Sequence, residues 1–204
     1  LKGRILVESG RLAEAVQLFR RNGASDIPDL RAWSKAHLLR QEWSDAVPIL
    51  ERILQLDPNE ADSLHELTAC RSYLGEFRRA LESAHKLASL PNQSHRAWLQ
   101  IGTLHQQMSN TRLAIEAWDK VLQVAPKGED LQVPAEEFLA EFGRVLLDDG
   151  QVERARNLVD LSLAKRETAE GLLLFGDVQL QLGNETEAVA ASPRMIRSNR
   201  SSVR

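Results

Sequence analysis

The sequence is poor in the residues that most often carry chemistry. Cys70 is the only cysteine in 204 residues, which excludes an intrachain disulfide and any zinc site built on several thiolates. A lone thiol is compatible with a reducing compartment, and the chain is expected to be cytoplasmic. Long apolar runs are missing as well: Leu172 to Phe175 is only four residues, against the roughly 18–20 that a membrane-spanning helix needs. No secretory leader is recognisable at Leu1, and the chain does not start with Met. It is therefore expected to be part of something longer. Aromatic residues are only 5%, so a core has to rest on Leu, Ala, Val and Ile.

Charge of one sign is lacking too. The balance of 26 basic and 29 acidic residues leaves a net −3, which provides no overall field for nucleic acid. Locally it is less even: residues 131–190 hold 12 acidic and 5 basic side chains, and 191–204 hold four Arg and no acid. Arg194, Arg197 and Arg200 have no aromatic residues interleaved with them, so this stretch reads as a disordered, solvated tail and not as a nucleic-acid or lipid site.

Catalytic signatures are equally scarce. No glycine-rich phosphate loop, Walker-type Gly-Lys-Ser or nucleophile elbow is present. His65-Glu66-Leu67-Thr68-Ala69 begins like a zinc-protease helix but has Ala69 where the second ligand His belongs, so no metal site follows. Glu137 and Glu141 share a helix face, where carboxylates near a helix start favour the dipole and read as solvated. Asp148 and Asp149 are adjacent and point about 100° apart on a helix. His37 and His105 read as packing residues, and Cys70 as a buried inert thiol. No enzyme activity, cofactor or metal is expected.

What the chain does have is a recurrence. Ala15, Ala46, Ala80, Ala114, Ala155 and Ala188 stand in similar surroundings, at spacings of 31, 34, 34, 41 and 33. Gly10, Gly75, Gly150 and Gly183 each precede one of these alanines by five residues, and Pro58 and Pro126 each follow one by twelve. Glycine can take the left-handed conformation that ends a helix. Alanine permits the next helix to cross the first closely, and proline stops it. Ala46, Val47, Leu50, Ile53 and Leu54 form the stripe of an amphipathic helix. Nothing alternates with a period of two, so the fold class is all-α. Asn59, after Asp57-Pro58, is expected to cap the helix that follows.

The segment Trp98-x-x-Ile101-Gly102-x-x-His105, Ala114-x-x-x-Trp118, Pro126 resembles the tetratricopeptide repeat. Phe142-Gly143-x-x-Leu146 and Phe175-Gly176 keep part of the same signature, while Trp33-Ser34 and Leu67-Thr68 depart from it. The resemblance implies a right-handed α-solenoid of five to six antiparallel helix pairs over residues 1–190. Units are expected near 1–26, 27–60, 61–94, 95–135, 136–168 and 169–190, with the basic tail at 191–204. The seven residues in excess of the repeat between Pro126 and Glu136 read as an extended loop. The last helix is expected to stop at Ser192-Pro193 after about one turn, because proline inside a helix costs ~3 kcal/mol.

The family resemblance also implies function: a protein-binding scaffold whose first helices line a concave groove. Carried over by position, the groove residues are Arg4, Glu8, Arg31, Lys35, His65 and Glu66, then Gln100, Thr103 and Gln107, then Glu141, Arg144, Asp148 and Asp177. Arg4, Arg31 and Lys35 would make one end basic. Glu137, Glu141, Asp148 and Asp177 would make the other acidic, with a neutral, hydrogen-bonding middle. Glu66 and Gln100 stand where the family's carboxylate-clamping members want Asn and Arg, so that subclass is not expected. Two alternatives remain: a non-catalytic docking region of a larger transferase or hydroxylase, and self-association through the incomplete end units.

Overall fold

A computed structural model of the chain describes residues 2–126, 131 and 133–191. Every regular element among them is a helix. The chain divides into two compact units, Leu1–Met108 and Ser109–Arg204. The first holds α1 (Lys2–Glu8), α2 (Leu12–Asn22), α3 (Ile27–Leu39), α4 (Trp43–Leu56), α5 (Ala61–Tyr73), α6 (Phe77–Ala88) and α7 (Ser94–Gln107). The second holds α8 (Thr111–Val124), α9 (Ala135–Asp148), α10 (Val152–Lys165) and α11 (Ala169–Gln181), followed by helical residues at 185–191. The basic tail and most of the loop expected after Pro126 lie outside the described residues. No helix among those described is long and apolar enough to cross a membrane.

In the first unit α1 packs on α2, α3 on α4 and α5 on α6. The second helix of each pair also packs on the first helix of the next, α2 on α3, α4 on α5 and α6 on α7. In the second unit α9 pairs with α10, and both meet α11, while α8 packs on α9. Burial is shared between successive hairpins, so no single hairpin owns its core.

The turns explain the spacing of the glycines. Gly10, Gly75, Gly150 and Gly183 all have φ between 75° and 79°, the left-handed region where a side chain is disfavoured. Each is followed by a backbone bond that spans five residues, such as Arg11 N–H to the Leu6 carbonyl at 2.8 Å and Glu76 N–H to the Arg71 carbonyl at 2.8 Å. This is the six-residue helix stop that satisfies two of the last carbonyls. Two turns without glycine use the same conformation: Gln41 and Ser109, five residues before Ala46 and Ala114, have φ 58° and 59°. Since a side chain in this region costs about 1–2 kcal/mol and glycine adds unfolded-state freedom, Gln41→Gly is expected to raise stability by a few tenths to about 1 kcal/mol. Urea denaturation of parent and variant checks this, and a lowered midpoint would contradict it.

The recurring alanines are among the most deeply buried residues. Ala15, Ala46, Ala80, Ala114 and Ala155 are completely buried, and Ala188 nearly so. Around Ala46 lie Leu30, Leu50, Ile53 and Leu67. Phe19 stacks on Trp33 at 5.8 Å in the cluster around Ala15. His37, at the position of a large aromatic, is 1% exposed and is held from both sides. Trp33 Nε1–H donates to its Nε2 at 3.0 Å, and its Nδ1 lies 2.7 Å from Glu42 Oε2.

Two details differ from the sequence expectation. The cap of α5 is Glu60, whose carboxylate accepts from Ser63 N–H at 2.6 Å; Asn59 instead donates its own N–H to Asp57 Oδ1. The turn is one residue longer than Asp-Pro-Asn implies, and a carboxylate reaches the amide as well as an amide side chain would. Proline also does not always end a helix here: α4 continues through Pro48, whose side chain is exposed, to Leu56. Residues 185–191 are helical, and Pro193 lies outside the described residues.

Candidate functional site

On α3 the residues Arg31, Lys35 and Leu39 recur every four positions and so share one face. The same face of α1 carries Arg4 and Glu8, and α5 contributes His65, Glu66 and Ala69. Together they line an open cleft of about 680 Å³, whose apolar lining includes Val7, Leu38, Leu39 and Trp43. The structure thus brings Arg4, Glu8, Arg31, Lys35, His65 and Glu66 into a single concavity. The apolar wall escaped the positional reading. Leu39 had a signal, since it continues the Arg31–Lys35 stripe, whereas Trp43 opens α4 and could not be assigned to this surface. Leu39 is 58% exposed, and Trp43 stacks flat on Tyr73 at 4.5 Å.

The electrostatics differ from the expected basic end. Arg4 Nε meets Asp29 Oδ1 at 3.0 Å. Arg31 bridges to Glu60 at 3.0 Å and Asp62 at 2.7 Å, and Asp62 also receives Arg96 at 3.1 Å. Arg31, followed by Arg96, holds the Asp62 carboxyl below the usual carboxylate range. Two of the three predicted cations are therefore matched by acids on the neighbouring helices, and Arg31 ties α3 to the start of α5. Lys35 and Glu8 have no ion-pair partner among the described residues.

His65 and Glu66 are half-buried neighbours with opposed behaviour. Burial, helped by the nearby Arg96, pushes His65 down to about 4. Burial pushes Glu66 up to about 7, reinforced by Asp62 and Glu60 and opposed by Arg31 and Lys35. Both side chains are thus largely neutral near pH 6. A raised carboxyl contributes stability that is complete below its unfolded value of 4.5 and is lost as pH rises through about 7. A lowered imidazole contributes stability that is complete above 6.5 and is lost as pH falls through about 4. The two slopes oppose each other between 4.5 and 6.5. Glu66→Gln is expected to expose the His65 slope and to stabilise the protein above pH 7 by about 1–2 kcal/mol after allowance for solvent screening. Denaturation midpoints across pH check this, and a parallel profile for parent and variant would refute it.

The remaining predicted groove residues do not line this cleft. Gln100 on α7 donates to the His65 carbonyl at 3.0 Å, and the Thr103 hydroxyl donates to the Leu99 carbonyl of its own helix. Gln107 accepts from the Ser72 hydroxyl at 2.8 Å. The neutral middle is thus partly occupied with internal bonds. In the second unit Glu141 pairs with Arg144 at 3.2 Å on α9, and Asp148 is exposed. Asp177 on α11 borders a separate depression lined by Leu172, Leu173, Leu180 and Val189.

Among the described residues one cluster has metal-ligand chemistry: donor atoms of His37, Glu42 and Asp45 lie within 4.8 Å of one another. Trp33 Nε1–H already donates to His37 Nε2, so the neutral ring carries its proton on Nδ1 and gives it to Glu42. That leaves no lone pair for a cation. Arg40, with His37 adding to it, holds the Glu42 carboxyl at about 2. Cys70 is buried, and burial, with Glu66 nearby, raises its thiol to about 11, the opposite of a reactive cysteine.

Residues 95–127 match the profile of the tetratricopeptide repeat. Along 92% of its length the chain is 24% identical to the mouse (Mus musculus) N-alpha-acetyltransferase 16, NatA auxiliary subunit, covering 22% of that protein. It is 30% identical over 100 residues to tetratricopeptide repeat protein 29 of Trypanosoma brucei brucei, which covers 43% of this chain and 21% of that one. The chain thus spans about a fifth of the length of these curated relatives. Among solved structures it is similar to Pseudomonas aeruginosa PilF, with a TM-score of 0.76 at 16% identity over 96% of this chain and 87% of that one. It is also similar to MamA residues 41 to the end from Desulfovibrio magneticus RS-1, with a TM-score of 0.72 at 17% identity over 84% of this chain and 94% of that one.

Proposed function

We propose that this all-α chain, similar to the tetratricopeptide repeat at residues 95–127 and to the fold of solved repeat proteins, is a non-catalytic protein-binding scaffold whose first unit holds a segment of a partner in the cleft between α1, α3 and α5. The observation that carries this reading is the composition of the cleft. Exposed Leu39 and half-buried Trp43 line it together with Lys35 and Glu8, which have no ion-pair partners among the described residues. Apolar surface rimmed by available charge is the pattern of an interaction site. The test is recovery of partners by the intact chain, compared with Leu39→Asp, Lys35→Glu and, as control, Arg78→Glu on an exposed face of α6. The cleft variants should lose the partner and the control should keep it. Equal recovery by all three, with helicity intact, would move binding elsewhere.

A second reading is favoured by the likeness to the NatA auxiliary subunit along 92% of the chain. Here the scaffold is the docking region of a larger enzyme or enzyme complex, contributing surface and no reacting group. Copurification of N-alpha-acetyltransferase activity with the full-length protein tests it; an inactive, catalytic-subunit-free preparation would count against it. The single buried thiol fits a reducing compartment. On that ground we assign the chain to the cytoplasm, which cell fractionation tests. End-to-end self-association would appear as a concentration-dependent mass in light scattering.

A further inference from the structure

We propose that the occupant of this cleft is a partner segment with a lysine or arginine side chain seated on Glu66, next to an apolar residue packed on Leu39 and Trp43. The inference rests on the cleft being the binding surface and adds the chemistry of what it takes. It follows from which charges are already matched. Arg4 and Arg31 are engaged by Asp29, Glu60 and Asp62, which leaves Lys35, Glu8 and Glu66 as the charged lining without ion pairs. That remainder is acidic by one charge when Glu66 is ionised. The Glu66 carboxyl is also half-buried and has no hydrogen bond among the described residues, an arrangement that is costly until a partner group compensates it.

The groups facing Glu66 supply that compensation only in part, since Arg31 and Lys35 lower its carboxyl without forming an ion pair with it. On α3, Arg31 is turned to the start of α5 and Lys35 is exposed. On α5, Asp62 adds negative charge, His65 is uncharged near neutral pH, and Cys70 keeps its proton. Glu60 also adds negative charge, and Arg96 is committed to Asp62. An incoming acid would find only Lys35 unpaired to receive it, beside Glu66 and Glu8, whereas a cation meets two acids without ion pairs. An approaching ammonium or guanidinium displaces the carboxyl proton to solvent and leaves a carboxylate–cation pair. Binding should therefore release a proton at and just below the pH near 7 where Glu66 titrates.

The experiment is selection of a display library of random short peptides on the intact chain, followed by affinity measurement of resynthesised winners. Winners are expected to share a Lys or Arg beside a Leu, Phe or similar residue. Glu66→Gln should weaken them about tenfold, and Leu39→Asp should abolish binding. Calorimetry in buffers of different ionisation enthalpy should register the released proton for the parent and not for Glu66→Gln. Winners that lack a basic residue, or that bind Glu66→Gln as well as the parent, would overturn the inference. If those peptides still fail on Leu39→Asp, the cleft reading survives alone. If they ignore both substitutions, or if no peptide binds, both readings fall.

Discussion

Replacing Trp118 by alanine will cost the second unit about 3–5 kcal/mol. The indole is 2% exposed and sits between two rings of α9, with its centroid 5.4 Å from Phe142 and 6.1 Å from Phe138. Both contacts are edge-to-face, the geometry in which ring quadrupoles attract. Truncation removes the largest buried side chain of α8 and opens a cavity that α9 cannot fill, because Phe142 and Leu146 are themselves fully buried. Chemical denaturation should show the loss, and amide exchange should speed up around Phe138 and Phe142. Trp118→Phe should recover much of the difference, since it restores an aromatic edge. An unchanged midpoint for the alanine variant would mean that the α8–α9 interface does not depend on this ring.

The opposite error, too much volume, should be felt at Ala46. Leucine there is expected to destabilise by about 1–3 kcal/mol through overpacking. The methyl group is fully buried within the cluster that also holds Leu30, Leu50, Ile53 and Leu67, and α4 touches both α3 and α5. A larger side chain must push α4 away from one of them. Amide exchange should therefore rise in both neighbouring helices and not in α4 alone, as expected of nearest-neighbour stacking. Thermal melting gives the magnitude. A variant as stable as the parent would show that this alanine is not the close point of the crossing.

The contrast between these residues shows how much could be read from the letters. A position that accepts only a small side chain leaves a visible mark, so the alanines and glycines announced the hairpins. The left-handed turns at Gln41 and Ser109 left none, because those residues occupy the conformation at an energetic cost that their identity does not advertise. The helical lining of the cleft was legible as a stripe on α3, down to Arg31 and Lys35. Its charge balance was not. Whether Arg31 is free or paired depends on Asp62, 31 residues away, and that proximity exists only once the hairpins have stacked. The burial that sets His65 and Glu66 against each other is likewise a product of stacking, as is the apolar wall completed by Trp43.

The ion pairs of the first unit also bear on how such a chain can change over evolutionary time. A core of alanines and leucines shared between neighbours would by itself tolerate the gain or loss of a whole repeat. The pairs are less permissive. Arg4 of α1 is matched by Asp29 of α3, and Asp62 of α5 is shared between Arg31 of α3 and Arg96 of α7. Excising the α3–α4 hairpin would leave Arg4 without its acid, Asp62 with a single cation, and Glu60 without its Arg31 contact. Each hairpin is thereby addressed to its neighbours, and the order of the repeats is written in charge as well as in shape.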